Sequence, residues 1–90
     1  MYSKTVKVTN PSGLHARPAS LFVSEAKNFT SNVTIRKLEP DATPQNAKSI
    51  ILLLAMAIKT GAEIEIAAEG DDEVLAVDKL VELVESGFGE

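Results

Sequence analysis

Residues 62–69 alternate apolar with mainly acidic side chains, the period of a β-strand with one buried and one solvated face. Residues 2–9 and 32–36 alternate in the same way and predict two further strands. Apolar residues at helical spacing predict helices over residues 16–28 and 73–86, and the apolar run 50–58 predicts a third. This order of elements predicts an α+β domain whose helices pack on one face of a sheet.

Ninety residues give room for one domain, 1–90, with a single modest core. Without cysteine there is neither a disulfide framework nor a thiolate metal site, and one histidine without an acidic cluster argues against any metal centre. No cofactor is expected. The polar N-terminus is no signal peptide, and the nine-residue run 50–58 is shorter than the ~20 residues that span a bilayer. We therefore expect a cytoplasmic monomer with no membrane insertion.

Charge is distributed unevenly along the chain. Residues 1–59 contain eight Lys or Arg and three acidic residues, whereas residues 60–90 contain one Lys and ten acidic residues. We therefore expect partners that are acidic where they dock on the first part of the chain. Direct nucleic-acid binding is not expected, because the cations are mostly scattered singly and few aromatic residues are available for base stacking.

Residues 13–19, Gly-Leu-His-Ala-Arg-Pro-Ala, contain the only histidine. Pro18 suits the first turn of a helix, so the helix is expected to begin at about Ala16 with His15 at its N-terminal end. Free backbone N–H groups there favour an anion, and the Arg17 guanidinium can bond two phosphate oxygens at once. The stretch predicts that His15 can accept a phosphoryl group. The alternative is an ordinary surface or capping histidine.

These seven residues closely resemble the active-site signature of HPr, the histidine-containing phosphocarrier family of the bacterial phosphotransferase system. Residues 46–50, Asn-Ala-Lys-Ser-Ile, resemble the segment around the regulatory serine of HPr proteins from low-GC Gram-positive bacteria and their relatives. The ending 87–90 is similar to the tail of some members. The resemblance spans essentially all 90 residues and implies an open-faced sandwich, a four-stranded antiparallel sheet with three helices on one face.

The resemblance also implies a function. His15 would take a phosphoryl group from enzyme I, itself charged by phosphoenolpyruvate, and pass it to sugar-specific IIA domains, so that the chain is a carrier and not an enzyme. The phosphate would sit on Nδ1 of His15, with Arg17 stabilising it and the backbone amides of Ala16 and Arg17 as further donors. Ser12 either assists or only caps the turn.

Two segments depart from the family pattern. Residues 38–45 contain two prolines and make the chain about three residues longer than typical members between His15 and Ser49. The third strand that the family has in this region should therefore be short or ragged. Leu52 and Ala57 stand where glycine is common, and Ile51 and Leu54 where methionine is common, which leaves the length of the second helix and the choice of partner open.

The run 50–58 is apolar on every side, so it is either core or a patch for a partner. We expect Leu53, Ala57 and one isoleucine to reach the core, with Ile50, Ile51 and Leu54 nearer the surface. The resemblance implies that this surface docks enzyme I and the IIA domains. The complete docking set is Ser20, Lys27, Lys48, Ile50, Ile51 and Leu54.

Ser49 opens the second helix and has two interpretations. Its hydroxyl can cap free N–H groups, or the serine can be phosphorylated by a serine kinase and read by a catabolite-control regulator, as the resemblance implies. A rival function is a Crh-like regulatory protein acting through phosphorylated Ser49 and the apolar patch, although such relatives lack the active-site histidine. A structural module of a larger assembly would leave both motifs as coincidences.

Overall fold

A computed structural model describes residues 1–89 of the chain. Its elements are β1 (Tyr2–Lys7), α1 (Arg17–Ala26), β2 (Asn32–Lys37), β3 (Gln45–Asn46), α2 (Ile50–Ala55), β4 (Glu63–Glu69) and α3 (Glu73–Glu85), followed by a 3-10 turn at Gly87–Gly89. The four strands form one antiparallel sheet in the order β1-β4-β2-β3. The predicted architecture, a four-stranded sheet with three helices, is confirmed.

The strand with the clearest alternation, β4, lies inside the sheet between β1 and β2. Its side chains Ile64 and Ile66 are fully buried and stand opposite Val6 of β1 and Ile35 of β2. Burial against two neighbours explains the register, because a slip by one residue would turn these isoleucines toward water and the glutamates toward the core. The alternation in the sequence therefore fixes both the face and the pairing of β4.

The helices cover the face of the sheet that carries these apolar side chains. Helix α3 packs against β1 and β4, and α1 lies against α3 and α2. The largest fully buried side chains come from every layer: Phe22, Leu14, Ile35, Leu53, Ile58, Ile64, Ile66 and Leu80. The uncovered face is polar and includes an ion pair between Arg36 and Glu65 at 3.1 Å.

Two predicted elements, the first strand and the first helix, are too long. Strand β1 ends at Lys7 and not at Thr9, although the Val8 N–H still donates to the Ala62 carbonyl at 2.8 Å. Helix α1 begins at Arg17 because Ala16 has φ 54° and ψ −128°, far from helical values, and it ends at Ala26 and not near Asn28. Pro18 lies in the first turn, as predicted.

The apolar run forms only six helical residues. Leu53 and Ile58 reach the core, as predicted for Leu53 and for one isoleucine. The prediction that Ala57 is buried is wrong: Ala57 is exposed, and its φ of 52° lies in the left-handed region. A residue in this conformation commonly ends a helix, and glycine is favoured there, so Ala57 adopts a backbone conformation that suits the glycine common at this position in the family that the chain resembles.

The third strand is short, as predicted. Only Gln45 and Asn46 pair with β2, opposite Ile35 and Thr34. The residues before them form turns, with Asp41 at φ 67°. The extra length of this chain therefore lies in the connection from β2 to β3 and leaves the rest of the sheet regular.

One expectation for the last helix is wrong. Helical spacing places Val74 with Val77, Leu80, Val81 and Val84 on the apolar face, but Val74 is 50% exposed and Ala76 takes the inner position. Asp72 holds the N-cap position of α3 but makes no side-chain capping bond to the helix. Its carboxylate instead accepts hydrogen bonds from the backbone N–H groups of Thr30 and Ser31, at 2.9 and 3.0 Å, and from the Ser31 hydroxyl. Asp72 thus joins the start of α3 to the loop before β2.

These bonds, above all that from the Ser31 hydroxyl, lower the pKa of Asp72 from 3.8 to about 2. A carboxylate with a lowered folded pKa stabilises the fold above its unfolded pKa and loses that contribution as the pH falls toward the folded value. We expect Asp72→Asn to lower the unfolding temperature at neutral pH, with a deficit that shrinks between about pH 4 and pH 2. Thermal unfolding followed by circular dichroism across this range measures the effect.

Asp71→Asn is the matched control, because it removes the same charge from an exposed residue of the same turn. Equal melting temperatures for both variants at every pH would contradict the role assigned to Asp72.

Candidate functional site

His15 lies in the connection between β1 and α1, and a turn at residues 10–13 places it there. Asn10 is almost fully buried; its side-chain amide donates to the Gly13 carbonyl at 2.9 Å, and the Gly13 N–H donates to the Asn10 carbonyl at 3.1 Å. The next residue, Leu14, is 1% exposed and anchors the turn in the core. His15 itself is exposed. The imidazole therefore projects from a tightly held backbone.

The turn is also joined to the segment that follows α2. The Leu14 N–H donates to the Ile58 carbonyl at 2.9 Å. Gly13 has φ +64°, and a Cβ built on it would lie 2.6 Å from the Ile58 carbonyl oxygen and 2.9 Å from the Cα of Lys59. Only glycine permits this approach, so Gly13 determines how closely the histidine turn meets residues 58–60.

The residue after the histidine is strained. Ala16 has positive φ without being glycine, and such a conformation costs about 1 to 3 kcal/mol. Because this conformation is not helical, α1 begins at Arg17. Within residues 1–89 the backbone N–H groups of Ala16 and Arg17 have no hydrogen-bond acceptor. The two amides named from the sequence are therefore open donors directly after His15.

A cleft of about 290 Å³ adjoins the histidine. Its lining residues come from the histidine turn and from the end of the apolar run: Ser12, Leu14, His15, Leu54, Ala57, Ile58 and Lys59. The structure thus brings together His15, Ser12 and Leu54 from the predicted site. Arg17 does not line the cleft, but it is exposed two residues from His15 and forms no ion pair or side-chain hydrogen bond within residues 1–89.

Sequence reasoning missed Lys59, which lies 44 positions from His15 in the chain. Nothing in its neighbourhood marks it, since it follows an apolar run and precedes a turn. Only the packing of Gly13 on residues 58–60 places it beside the histidine.

The structure separates Ser49 from His15. Lys48 donates its Nζ to the Phe29 carbonyl at 2.7 Å, so α2 starts beside the end of α1, whereas the cleft at His15 contains the last part of the apolar run. Ser49 precedes the first turn of α2 and the cleft adjoins its last turn, and the six residues of α2 span about 9 Å at 1.5 Å per residue. The Ser49 hydroxyl accepts a hydrogen bond from the Leu52 N–H at 3.3 Å, which is the capping role.

The remaining docking candidates differ in exposure. Ile51 is 76% exposed and Leu54 39%, as predicted, and Leu52 is also 39% exposed. Ile50 is only partly exposed and packs against the core, so the prediction that it lies with the surface residues is wrong in part. Ser20 and Lys27 are exposed on α1 and at its end, and Lys48 is half-buried. Ile51, Leu52 and Leu54 form an exposed apolar strip, which we call the α2 strip.

Among residues 1–89, the charged side chains near the histidine turn are of one sign. The sequence has no Asp or Glu between residues 1 and 24 or between residues 42 and 62. Within residues 1–89, Arg17, Lys27 and Lys59 have no carboxylate partner, whereas Lys4 pairs with Asp78 at 2.8 Å on the α3 side. The surface around His15 is therefore cationic and its cations are available to an anion or an acidic partner.

Residues 1–89 contain no helix that is long and apolar enough to cross a membrane. The same residues contain no group of three or more His, Cys, Asp or Glu side chains placed to hold a metal ion.

Comparison with known proteins agrees with this geometry. The family model "PTS HPr component phosphorylation site" matches residues 2–86. The HPr-like protein Crh of Bacillus subtilis is 46% identical, covering 94% of this chain and 96% of that protein. The phosphocarrier protein HPr of Treponema pallidum is 42% identical over 100% and 99% of the two chains. The crystal structure of HPr-C-His from Thermoanaerobacter tengcongensis matches with a TM-score of 0.92 at 43% identity, covering 100% and 98%.

The fold and the matched sequence are therefore those of the phosphocarrier class, whose members relay a phosphoryl group and do not catalyse a reaction of their own. The chain belongs to the HPr family of the phosphotransferase system, and membership implies enzyme I and IIA domains as partners. Because its similarity to Crh and to HPr is of the same order, identity alone defines the family without choosing between these two roles.

The contact at Gly13 gives a prediction for stability. Gly61→Ala should cost about 1 to 2 kcal/mol, because Gly61 has φ +90° but no atom within 4 Å of a built Cβ. Gly13→Ala should cost about 1 to 3 kcal/mol more than Gly61→Ala, because its Cβ would also overlap the backbone at Ile58 and Lys59. Urea unfolding of the two variants measures both costs. Equal losses would show that the backbone at residues 58–60 moves away without cost.

Proposed function

We propose that this chain is a phosphocarrier that accepts a phosphoryl group on His15 from enzyme I and passes it to sugar-specific IIA domains. The observation that carries the proposal is the exposed His15 imidazole, held on a rigid turn with two open backbone N–H groups directly after it. Such a site can meet two different partners in turn, which a buried histidine could not do.

In the proposed step the neutral Nδ1 of His15 attacks the phosphorus of the donor, the N–P bond to His15 forms and the bond to the donor breaks. The charge moves with the phosphoryl group and develops on its three outer oxygens. The hydrogen-bond donors nearest to His15 in the sequence are the backbone amides of Ala16 and Arg17 and the guanidinium of Arg17. A carrier must release its cargo, so a site with few donors and open to solvent suits the task.

The α2 strip is the proposed docking surface for both partners, with Arg17, Lys27 and Ser20 on the neighbouring helix. Its apolar side chains supply area, and the unpaired cations favour acidic partner surfaces. Lys48, held by the Phe29 carbonyl, and the half-buried Ile50 would contribute at the edge of this surface. We propose that the chain acts as a monomer in the cytoplasm, where soluble partners can reach it, and that residues 1–90 form its single domain.

The second candidate function is a Crh-like regulator that works through phosphorylated Ser49. The capping geometry of Ser49 beside the α2 strip favours it, as does the 46% identity to Crh. His15 favours the carrier, since a chain working only through Ser49 has no need of an exposed histidine on a strained turn. One chain can do both, and we propose the low-GC Gram-positive type, in which Ser49 regulates the carrier through a serine kinase and a catabolite-control regulator.

Incubation with phosphoenolpyruvate and enzyme I tests the carrier function. We expect one phosphate per chain that is labile in acid and stable in base, as a phosphohistidine is, and we expect none on His15→Ala. Ser49→Ala is the matched control and should be phosphorylated like the wild type. Phosphate that persists on His15→Ala, or a wild-type chain that stays unmodified, would end this proposal.

Arg17→Lys should slow phosphoryl transfer from enzyme I by about tenfold or more, about 1.4 kcal/mol, because it keeps the charge but loses the two-point geometry of guanidinium. Stopped-flow or quench-flow measurements give the transfer rate. The unfolding temperature should change little, since the Arg17 side chain forms no ion pair or hydrogen bond within residues 1–89. Arg36→Lys, on the uncovered face of the sheet, is the control. Equal transfer rates for the wild type and Arg17→Lys would remove Arg17 from the site.

For Ser49, two physical effects of a phosphate can be separated. Repulsion between a phosphate and an acidic group about 10 Å away, at an effective dielectric of about 40 to 80, is worth roughly 1 kcal/mol and fades with salt. Seating the same dianion against an apolar partner surface costs several kcal/mol because the dianion loses water, and salt hardly relieves that cost. The neighbouring α2 strip favours the second effect.

We therefore expect phosphorylated Ser49 to slow transfer to His15 by about tenfold or more, with a deficit that persists at high salt, and Ser49→Asp to act in the same direction more weakly. The rate ratio to unmodified protein is measured across ionic strength. Ser49→Asn is the matched control, because asparagine also caps a helix but carries no charge. If the rate ratio returned to one at high salt, long-range repulsion alone would explain the effect. If the transfer rate showed no deficit at any salt concentration, Ser49 would be only a helix cap.

A further inference from the structure

The cleft beside His15 contains a cation, Lys59, that has no role in the carrier function proposed above. Lys59 lines the same cleft as the imidazole, and Arg17 does not. Arg17 and Lys59 are therefore two separate cations near one histidine, one following it in the chain and the other brought to the cleft by tertiary packing.

The backbone of Lys59 is fixed relative to His15. A Cβ built on Gly13 would lie only 2.9 Å from the Cα of Lys59, so the two backbones are in close contact. The carbonyl of the preceding residue, Ile58, accepts a hydrogen bond from the Leu14 N–H. Two residues on, the Gly61 N–H donates to the Val8 carbonyl at 2.6 Å. These contacts on both sides of Lys59 hold its Cα against the turn that carries the histidine, so only the flexible side chain has freedom to move.

The surroundings leave the ammonium group of Lys59 available to an anion. Lys59 is exposed and has no carboxylate partner within residues 1–89. Among residues 1–89 no acidic side chain lines the cleft, and most of the other lining side chains are apolar: Leu14, Leu54, Ala57 and Ile58. These apolar side chains offer no charge or hydrogen bond that would compete with an anion for the ammonium group.

We propose that Lys59 is a ligand of the phosphoryl group on His15: its ammonium binds the phosphoryl oxygens at the cleft, in addition to the backbone amides of Ala16 and Arg17. The inference rests on the proposed carrier function. Lys59 would stabilise the charged form of the carrier and so help to set how readily the phosphoryl group is passed on. Contact with acidic groups of a partner alone is the competing role for this lysine.

The titration of the phosphoryl group separates these roles without any partner. Phosphoramidate can phosphorylate His15 directly: the bond from phosphorus to its nitrogen breaks, ammonia leaves and the N–P bond to the imidazole forms. The second pKa of the phosphoryl group is then measured by ³¹P NMR. Because a nearby cation favours the dianion, we expect Lys59→Gln to raise this pKa by about 0.5 or more, about a threefold change in the ionisation constant.

Lys59→Arg should keep the wild-type value within about 0.2, because it restores the positive charge. Lys79→Gln is the matched control, since Lys79 is an exposed lysine of α3 that lines no part of the cleft and has no carboxylate partner within residues 1–89. Thermal unfolding of each variant before phosphorylation shows that the fold is unchanged, as expected for an exposed side chain.

An unchanged phosphoryl pKa in Lys59→Gln would overturn the inference and leave Lys59, at most, as a partner contact. A rise that Lys59→Arg fails to correct, or that Lys79→Gln reproduces, would overturn it as well. Failure of enzyme I to phosphorylate the wild type would instead overturn the proposed function, and it would leave this titration unaffected because phosphoramidate replaces enzyme I.

Discussion

The site depends on the close approach of two backbone segments: the histidine turn at Gly13 and residues 58–60, which lie in the connection from α2 to β4. Gly13 has no side chain to hold these segments apart, and the bond from the Leu14 N–H to the Ile58 carbonyl closes the contact. One consequence is local, because the turn that presents His15 becomes rigid. The other is long-range, because the end of the apolar run and Lys59 become walls of the same cleft.

The balance between burial and exposure in the apolar run follows from that contact. Ile58 must be inside to meet Leu14, and Leu53 is inside because it lies on the core side of α2. A helix of six residues cannot bury its remaining sides in a domain of this size, so Ile51, Leu52 and Leu54 stay at the surface. The exposed left-handed Ala57 turns the chain between these two environments. An exposed apolar strip beside a cationic site is a physical reason to expect protein partners.

Charge is segregated between the two sides of the domain. On one side, Asp78 of α3 pairs with Lys4 and Glu65 of β4 pairs with Arg36, and Asp72 at the start of α3 accepts backbone N–H groups of the loop before β2. The cations near His15 find no such partners within residues 1–89. Paired charges stabilise the fold modestly, whereas unpaired ones of a single sign create a field that favours anions and acidic surfaces. The fold thus keeps its structural and its functional charges apart.

The sequence by itself determined the strands, the helices and the histidine turn, because alternation, helical spacing and Pro18 act over a few residues. Its motifs also determined the family. Tertiary structure alone decided that Ala57 is exposed and left-handed, that Asp72 bonds to Thr30 and Ser31 and not to its own helix, and that Lys59 reaches the cleft of His15. Each of these depends on a contact between residues far apart in the chain, and no local pattern encodes the distance between two segments that meet only when the core has formed.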